Sequence, residues 1–370
     1  MKKLILLIII LLPIISFAQP NDDNSVTKDS LAGNFYIDIS STAFFDNLEF
    51  ANYIEKGYTL TGFNFEPRLR YDIGNRYSIS AGAHTLSYAG EPEFDKISPV
   101  VTIHTFLSEK VQLNLGTIDG KGCHGLPEPV FMPEREFLNQ PETGLQILFT
   151  GNRFEGETWI NWEKFLFFGD TIQEEFTVGV SGKVKLLKDS DIRLDIPLYA
   201  LAVHQGGQIN VTESVVSTLA NLGGGVNFSV PAGNGRVGVE ALAFLGKDLS
   251  PNPHHIYKNG WAIYPRAYYN FKSIYVDLGY WKADSLMLPR GQQIFGSLST
   301  VHPHYNSPER EIITANFVYS KTLAKGFNLS GKVQLYQVIT ESQLDFRFAV
   351  IVRFDEQFLL RRKKTLIKNR

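Results

Sequence analysis

Residues 343–354 read QLDFRFAVIVRF. Leu344, Phe346, Phe348, Val350, Val352 and Phe354 share one parity, whereas Asp345, Arg347 and Arg353 share the other. An extended strand sends alternate side chains to opposite faces, so the stretch has one apolar and one charged face. A helix would mix the two. A soluble sandwich shows the same alternation, so the fold is decided by how often the pattern recurs and which solvent meets the apolar face.

The pattern recurs along the whole chain. Phe35, Ile37 and Ile39 alternate with Tyr36, Asp38 and Ser40. Phe63, Phe65, Leu69 and Tyr71 alternate with Asn64, Glu66, Arg68 and Arg70. Phe176, Val178, Val180 and Val184 oppose Thr177, Ser181, Lys183 and Lys185, and Ile192, Leu194, Ile196 and Leu198 oppose Arg193, Asp195 and Tyr199. Phe327, Leu329, Val333 and Leu335 oppose Asn328, Ser330, Lys332 and Gln334. Roughly sixteen such segments of about ten residues follow one another, the length a tilted strand needs to cross a bilayer.

The connections add independent information. One set is short and rich in turn-forming residues, such as Asp72-Ile73-Gly74-Asn75 and Pro231-Ala232-Gly233-Asn234-Gly235. The other set is mostly longer, with residues 117–142 and 283–310 the longest. Short turns on one rim and long loops on the other are the pattern of outer-membrane barrels. Closure follows from physics, because hydrocarbon offers no water to satisfy backbone groups and only helices or closed barrels can span it. The fold predicted is all-β, a transmembrane antiparallel up-and-down barrel of about sixteen strands with short periplasmic turns and long extracellular loops.

Composition agrees. A net charge of −2 gives no argument for nucleic acid, and 27 Phe with 16 Tyr suit many strands with aromatic girdles. Tyr71, Tyr77, Trp162, Trp261, Tyr269, Phe271, Tyr280 and Trp281 are the expected girdle residues. Lys2 and Lys3, the apolar run Leu4 to Ile15, and Ser16-Phe17-Ala18 before Gln19 read as a secretory signal peptide. The single cysteine, Cys123, excludes an intrachain disulfide framework. The predicted organisation is a signal peptide over 1–18, a flexible periplasmic lead-in over 19–32, the barrel over 33–354 and a basic tail over 355–370.

The Lys-Lys signal ending SFAQ, the FNFEPRLRY strand from Phe63 to Tyr71 and the Phe-ended final strand resemble outer-membrane porin-like barrels of Gram-negative bacteria, with a Bacteroidota-like signal junction. Such strands usually end the chain at an aromatic residue. Here Phe354 is followed by DEQFLLRRKKTLIKNR, so either Phe354 acts as an internal signal or the last strand runs on toward Phe358 and Leu360. The resemblance implies location in the outer membrane as a multi-pass protein. It implies contact with outer-membrane lipids and lipopolysaccharide, handling by barrel-assembly machinery, passage of small hydrophilic solutes, and homo-oligomers as the class allows.

A barrel of this size leaves an aqueous lumen, which accounts for charges opposite the apolar face. The expected lumen-lining residues are Glu66, Arg68, Arg70, Lys183, Lys185, Arg193, Asp195, Arg266, Lys332 and Arg347. They either form an ion-selecting ladder with mild anion preference or pair with one another across strands. The loops 117–142 and 283–310 either fold inward to constrict the channel or cap it. Arg347→Leu is expected to be tolerated and Phe348→Arg to block assembly.

His124, His254, His255, His302 and His304 fall in expected outer loops and are the candidates for a metal site at the mouth, although their spacing matches no defined metal motif. No GxSxG elbow appears. The function expected is passive passage of hydrophilic solutes through a porin-like channel, without catalytic residues or cofactor. The alternatives are a dedicated saccharide or polyanion export or uptake barrel, or a structural or adhesive barrel acting through its loops.

Overall fold

The computed structural model describes residues 32–187, 190–207 and 214–362. The signal segment, nearly all of the lead-in and the end of the tail lie outside the described residues. Among the described residues, sixteen strands run in chain order: β1 (Phe35–Glu49), β2 (Tyr58–Asp72), β3 (Tyr77–Tyr88), β4 (Lys96–Ser108), β5 (Val111–Ile118), β6 (Glu142–Thr150), β7 (Phe154–Lys164) and β8 (Glu175–Lys185), then β9 (Arg193–Gln205), β10 (Ser217–Ala232), β11 (Gly235–Asp248), β12 (Asn259–Phe271), β13 (Ile274–Asp284), β14 (Glu309–Ala324), β15 (Phe327–Val338) and β16 (Gln343–Arg361). Each strand pairs antiparallel with its neighbours in sequence, and β16 returns to β1, closing the barrel. Closure leaves no unpaired edge, which is what lets a sheet lie in lipid.

The side chains invert the usual order of a soluble protein. On β16 Leu344, Phe346, Phe348 and Val350 are exposed on the outer wall, whereas Asp345 and Arg347 are 0% and 2% exposed inside. Phe63, Phe65 and Leu69 on β2 and Leu222, Val226 and Phe228 on β10 repeat the arrangement. An apolar outer wall met by lipid has no second layer to cover it.

Two expectations are corrected. Residues 355–361 are strand rather than tail: β16 stays in register with β1 from Glu49↔Phe346 to Tyr36↔Leu359, and a bulge there shifts the last pair to Phe35↔Arg361. The chain therefore takes the second of the two courses open after Phe354. Gly326 holds the neighbouring β14–β15 turn at φ +70°, and a Cβ there would come within 2.5 Å of Asp355 O, so glycine is required beside this continued strand. Trp281 is not a girdle residue. It points inward, is fully buried, and donates its indole N–H to Phe295 O at 3.0 Å. Trp162 and Trp261, by contrast, are exposed on the outer wall.

Candidate functional site

Toward the long-loop rim a set of inward-facing apolar side chains stands among the charged ones of the wall. Leu48, Trp159, Leu201, Val203, Phe244, Tyr264, Trp281 and Tyr336 belong to one buried cluster. In an open pore these would face water. Two loops fold inward and cover them, residues 119–141 with Leu126, Val130 and Phe131, and residues 285–308 with Leu286, Leu288, Ile294 and Phe295. Removing this surface from water drives the insertion. The loops are tied by Met132 N–H to Arg290 O at 2.8 Å and Gln292 N–H to Glu128 O at 3.1 Å. Between these bonds a Cβ on Gly291 would come within 1.8 Å of Pro129 O, so the segments meet this closely only through glycine. Of the two courses open for the loops, both take the inward one.

Charges anchor the inserted loops to the wall. Arg347 donates Nε–H to Asp46 Oδ1 at 2.9 Å, and its Nη1 lies 3.1 Å from Glu134 Oε1 and 3.8 Å from Glu128 Oε1. Glu128 also accepts from Gln334 Nε2 at 2.7 Å and from the Tyr336 hydroxyl. Burial pushes the Glu128 carboxyl up, but Lys332 and Arg347 outweigh it and hold the carboxyl below its ordinary value. For Glu134, burial wins and the shift is upward. Arg290 of the second loop reaches Glu163 at 3.0 Å and Glu175, and Arg135 of the first loop reaches Glu163 at 3.0 Å. Arg310 pairs with Glu341 and donates to Ile294 O at 2.8 Å.

The expected lumen residues sit as follows. Arg68 pairs with Glu66 at 2.7 Å, and Arg70 with Asp72 at 3.2 Å and Asp38 at 3.7 Å. Lys183 and Lys185 share Glu155, and Arg266 pairs with Glu240. Lys332 lies 3.8 Å from Glu128. Arg193 and Asp195 line a cavity of about 440 Å³. Arg347 is enclosed by carboxylates, so the expectation that Arg347→Leu is tolerated is corrected: the substitution strips buried charges of their partner. Below the inserted loops, toward the short-turn rim, a cavity of about 730 Å³ is lined by Glu66, Arg68, Arg70, His84 and His104.

The histidines do not gather at the mouth. His124 lies inside the barrel, stacked on Trp159 with ring centroids 3.9 Å apart. Its Nε2 is 2.9 Å from Glu142 Oε2 and its Nδ1 is 3.2 Å from Glu157 Oε1. Burial alone would depress its pKa, but the two carboxylates outweigh that and push it up to about 9. His302 of the second loop packs on Tyr53 with ring centroids 5.8 Å apart, and His254 packs on His255 at 4.2 Å. Among the described residues no group of three or more His, Cys, Asp or Glu side chains is placed to hold a metal.

At the long-loop rim, three residues that sequence spacing did not connect form a hydrogen-bonded chain. Ser217 opens β10, Asp248 ends β11, and His255 lies in the loop between β11 and β12. His255 Nδ1 is 2.9 Å from Asp248 Oδ2, and His255 Nε2 is 3.5 Å from Ser217 Oγ. Ser250 N–H donates to the other carboxylate oxygen of Asp248 at 2.9 Å. Val215, Leu249 and Ile256, beside the three members in sequence, are exposed apolar side chains. The serine and histidine are 38 residues apart and no local motif marks either, so only the pairing of β10 with β11 reveals them.

The comparisons with known proteins separate fold from family. The barrel is similar to OprD of Pseudomonas aeruginosa, with 12% identity, a TM-score of 0.53, and coverage of 89% of this chain and 97% of that one. OccK8 (OprE) of Pseudomonas aeruginosa gives 12%, 0.52, 89% and 100%. OccAB2 of Acinetobacter baumannii gives 10%, 0.51, 89% and 99%. At such identities the likeness shows an outer-membrane barrel fold alone. No curated protein matches the chain. The model of the lipid A 3'-O-deacylase-type family matches residues 23–363. That match overturns the expectation of a protein that is not an enzyme, because the family is one of enzymes. With nearly its whole length covered, the chain belongs to the lipid A 3'-O-deacylase-type family.

Proposed function

We propose that this protein is an outer-membrane acyl-ester hydrolase that removes a fatty-acyl chain from a lipid of the outer leaflet, the lipid A class for which its family is named. The inserted loops carry the proposal. An apolar cluster contributed by β1, β5, β7, β9, β11, β12, β13, β14 and β15 and by both loops lies across the long-loop end of the lumen, which disfavours free passage of solutes. Chemistry is left to the rim, where lipid, water and loop side chains meet. Exposed Phe165, Phe167 and Phe168 between β7 and β8, with Val215, Leu249 and Ile256, supply apolar surface there for acyl chains.

The test is incubation of the purified protein with lipopolysaccharide in mixed micelles, followed by mass spectrometry of the lipid A. Loss of one acyl chain with release of the free fatty acid is expected. Unchanged lipid A together with sugar-permeable liposomes would sink the proposal and return the barrel to a passive channel.

A further inference from the structure

We propose that Ser217, His255 and Asp248 are the nucleophile, the general base and acid, and the orienting carboxylate of an acyl-transfer site at the long-loop rim. The substrate class, an acyl ester of an outer-leaflet lipid, rests on the function proposed above. The relay itself rests on geometry.

A serine hydroxyl attacks an ester only when a base takes its proton, and an imidazole does so only when its other nitrogen is held in the right tautomer by an acceptor. His255 meets both conditions: Asp248 Oδ2 sits 2.9 Å from Nδ1, and Ser217 Oγ sits on the Nε2 side at 3.5 Å. That distance is loose for a hydrogen bond, as relay contacts often are before substrate binds. Asp248 is fixed in turn by Ser250 N–H, and Ser250 Oγ accepts from Thr218 N–H at 3.0 Å, which ties the carboxylate back to the residue after the serine.

Other histidines of the barrel discriminate rather than compete. His84 has a carboxylate, Glu66 at 2.9 Å, but its buried Nε2 has no partner. His124 has carboxylates on both nitrogens, which hold it protonated and make it useless as a base. His204 contacts Thr218 Oγ1 and Gly206 O and has no carboxylate. Among the described residues, His255 is the histidine with a carboxylate on one nitrogen and a serine hydroxyl on the other.

The chemistry balances without a co-reactant other than water. Ser217 Oγ bonds to the ester carbonyl carbon while His255 Nε2 takes the hydroxyl proton. The C–O bond to the sugar alcohol then breaks, and the alcohol leaves with that proton. Water, deprotonated by His255, attacks the acyl-serine, and the fatty acid leaves as Ser217 recovers its proton. The side chain of His255 is partly exposed, and Val215, Leu249 and Ile256, next to the relay in sequence, are exposed apolar side chains available to the chain being removed.

The experiment treats folded protein in detergent with an alkyl fluorophosphonate, maps the label by peptide mass spectrometry, and measures hydrolysis of a p-nitrophenyl decanoate. Ser217→Ala, His255→Gln and Asp248→Asn are compared with His304→Ala as an unrelated loop control, each first shown to be folded by heat-modifiable mobility. Labelling at Ser217 is expected. So is a loss of hydrolysis of about a thousandfold or more in Ser217→Ala and His255→Gln, with His304→Ala unchanged. Absence of label on Ser217, or wild-type hydrolysis by Ser217→Ala, would overturn the relay. Labelled Ser217 with ester hydrolysis but intact lipid A would leave the relay standing and refute the lipid A substrate. Lipid A deacylated at the wild-type rate by Ser217→Ala would do the reverse.

Discussion

Arg347 on β16 and Asp46 on β1 meet across the seam that closes the barrel, with Arg347 Nε–H donated to Asp46 Oδ1 at 2.9 Å and both side chains almost wholly buried. The same guanidinium reaches Glu134 and Glu128 of the inserted loop. One arginine therefore joins the seam and the plug. A buried pair of this kind adds little over a well-packed apolar alternative, but removing one partner leaves an uncompensated charge.

Asp46→Ala is accordingly expected to destabilise the folded barrel by about 3–5 kcal/mol. Arg347→Leu should be at least as damaging, because it strands Asp46, Glu134 and Glu128 together. Urea titration followed by heat-modifiable gel mobility measures both. A wild-type midpoint for Arg347→Leu would show that the carboxylates are relieved by other means.

Phe348, one residue away, faces the opposite solvent and is exposed on the outer wall. An arginine at that face costs about 2–4 kcal/mol near the bilayer midplane. Phe348→Arg should lower the yield of folded, heat-modifiable barrel in membranes, and normal folding would contradict the assignment of faces.

Gly291→Ala tests the loop packing, since its methyl would overlap Pro129 O. The two inserted segments must separate, breaking the bonds between Met132 and Arg290 and between Gln292 and Glu128. Planar-bilayer recording should show little conductance for the wild type and frequent openings for the variant. Large steady conductance in the wild type would mean the loops do not seal the lumen.

Two buried groups make the loops pH-sensitive. Glu55 accepts from Gln292 Nε2 and Ile294 N–H, both at 2.7 Å, and its carboxyl is pushed up to about 8, first by burial and then by Glu134. A carboxyl with a higher pKa docked than released binds its proton more tightly when docked. Its contribution is complete below about 4.5 and is lost as pH rises through about 8. His124 follows the same sign: its contribution is complete below 6.5 and is lost as pH rises through about 9. Hydrogen exchange in residues 119–141 and 285–308, corrected for intrinsic rate, should therefore quicken from pH 5 to pH 9. Glu55→Gln should flatten the lower part of that profile and His124→Gln the upper part. A profile identical in the wild type and both variants would rule out these groups as its source.

The parity of QLDFRFAVIVRF and its repeats determined the strands, their faces and, with the sorting of short and long connections, the barrel. That much is local, since alternation along a strand is fixed by backbone geometry. The charged face was legible as a face, but not its partners, because Arg347 finds Asp46, Glu128 and Glu134 only through closure and loop insertion. The inward course of the loops depended on Trp281, Phe244 and Tyr264 pointing into the lumen, which only strand register reveals. The Ser217–His255–Asp248 chain is the extreme case. Its members carry no motif and stand on different elements, and a relay is defined by distances of about 3 Å between side chains that the sequence does not place together.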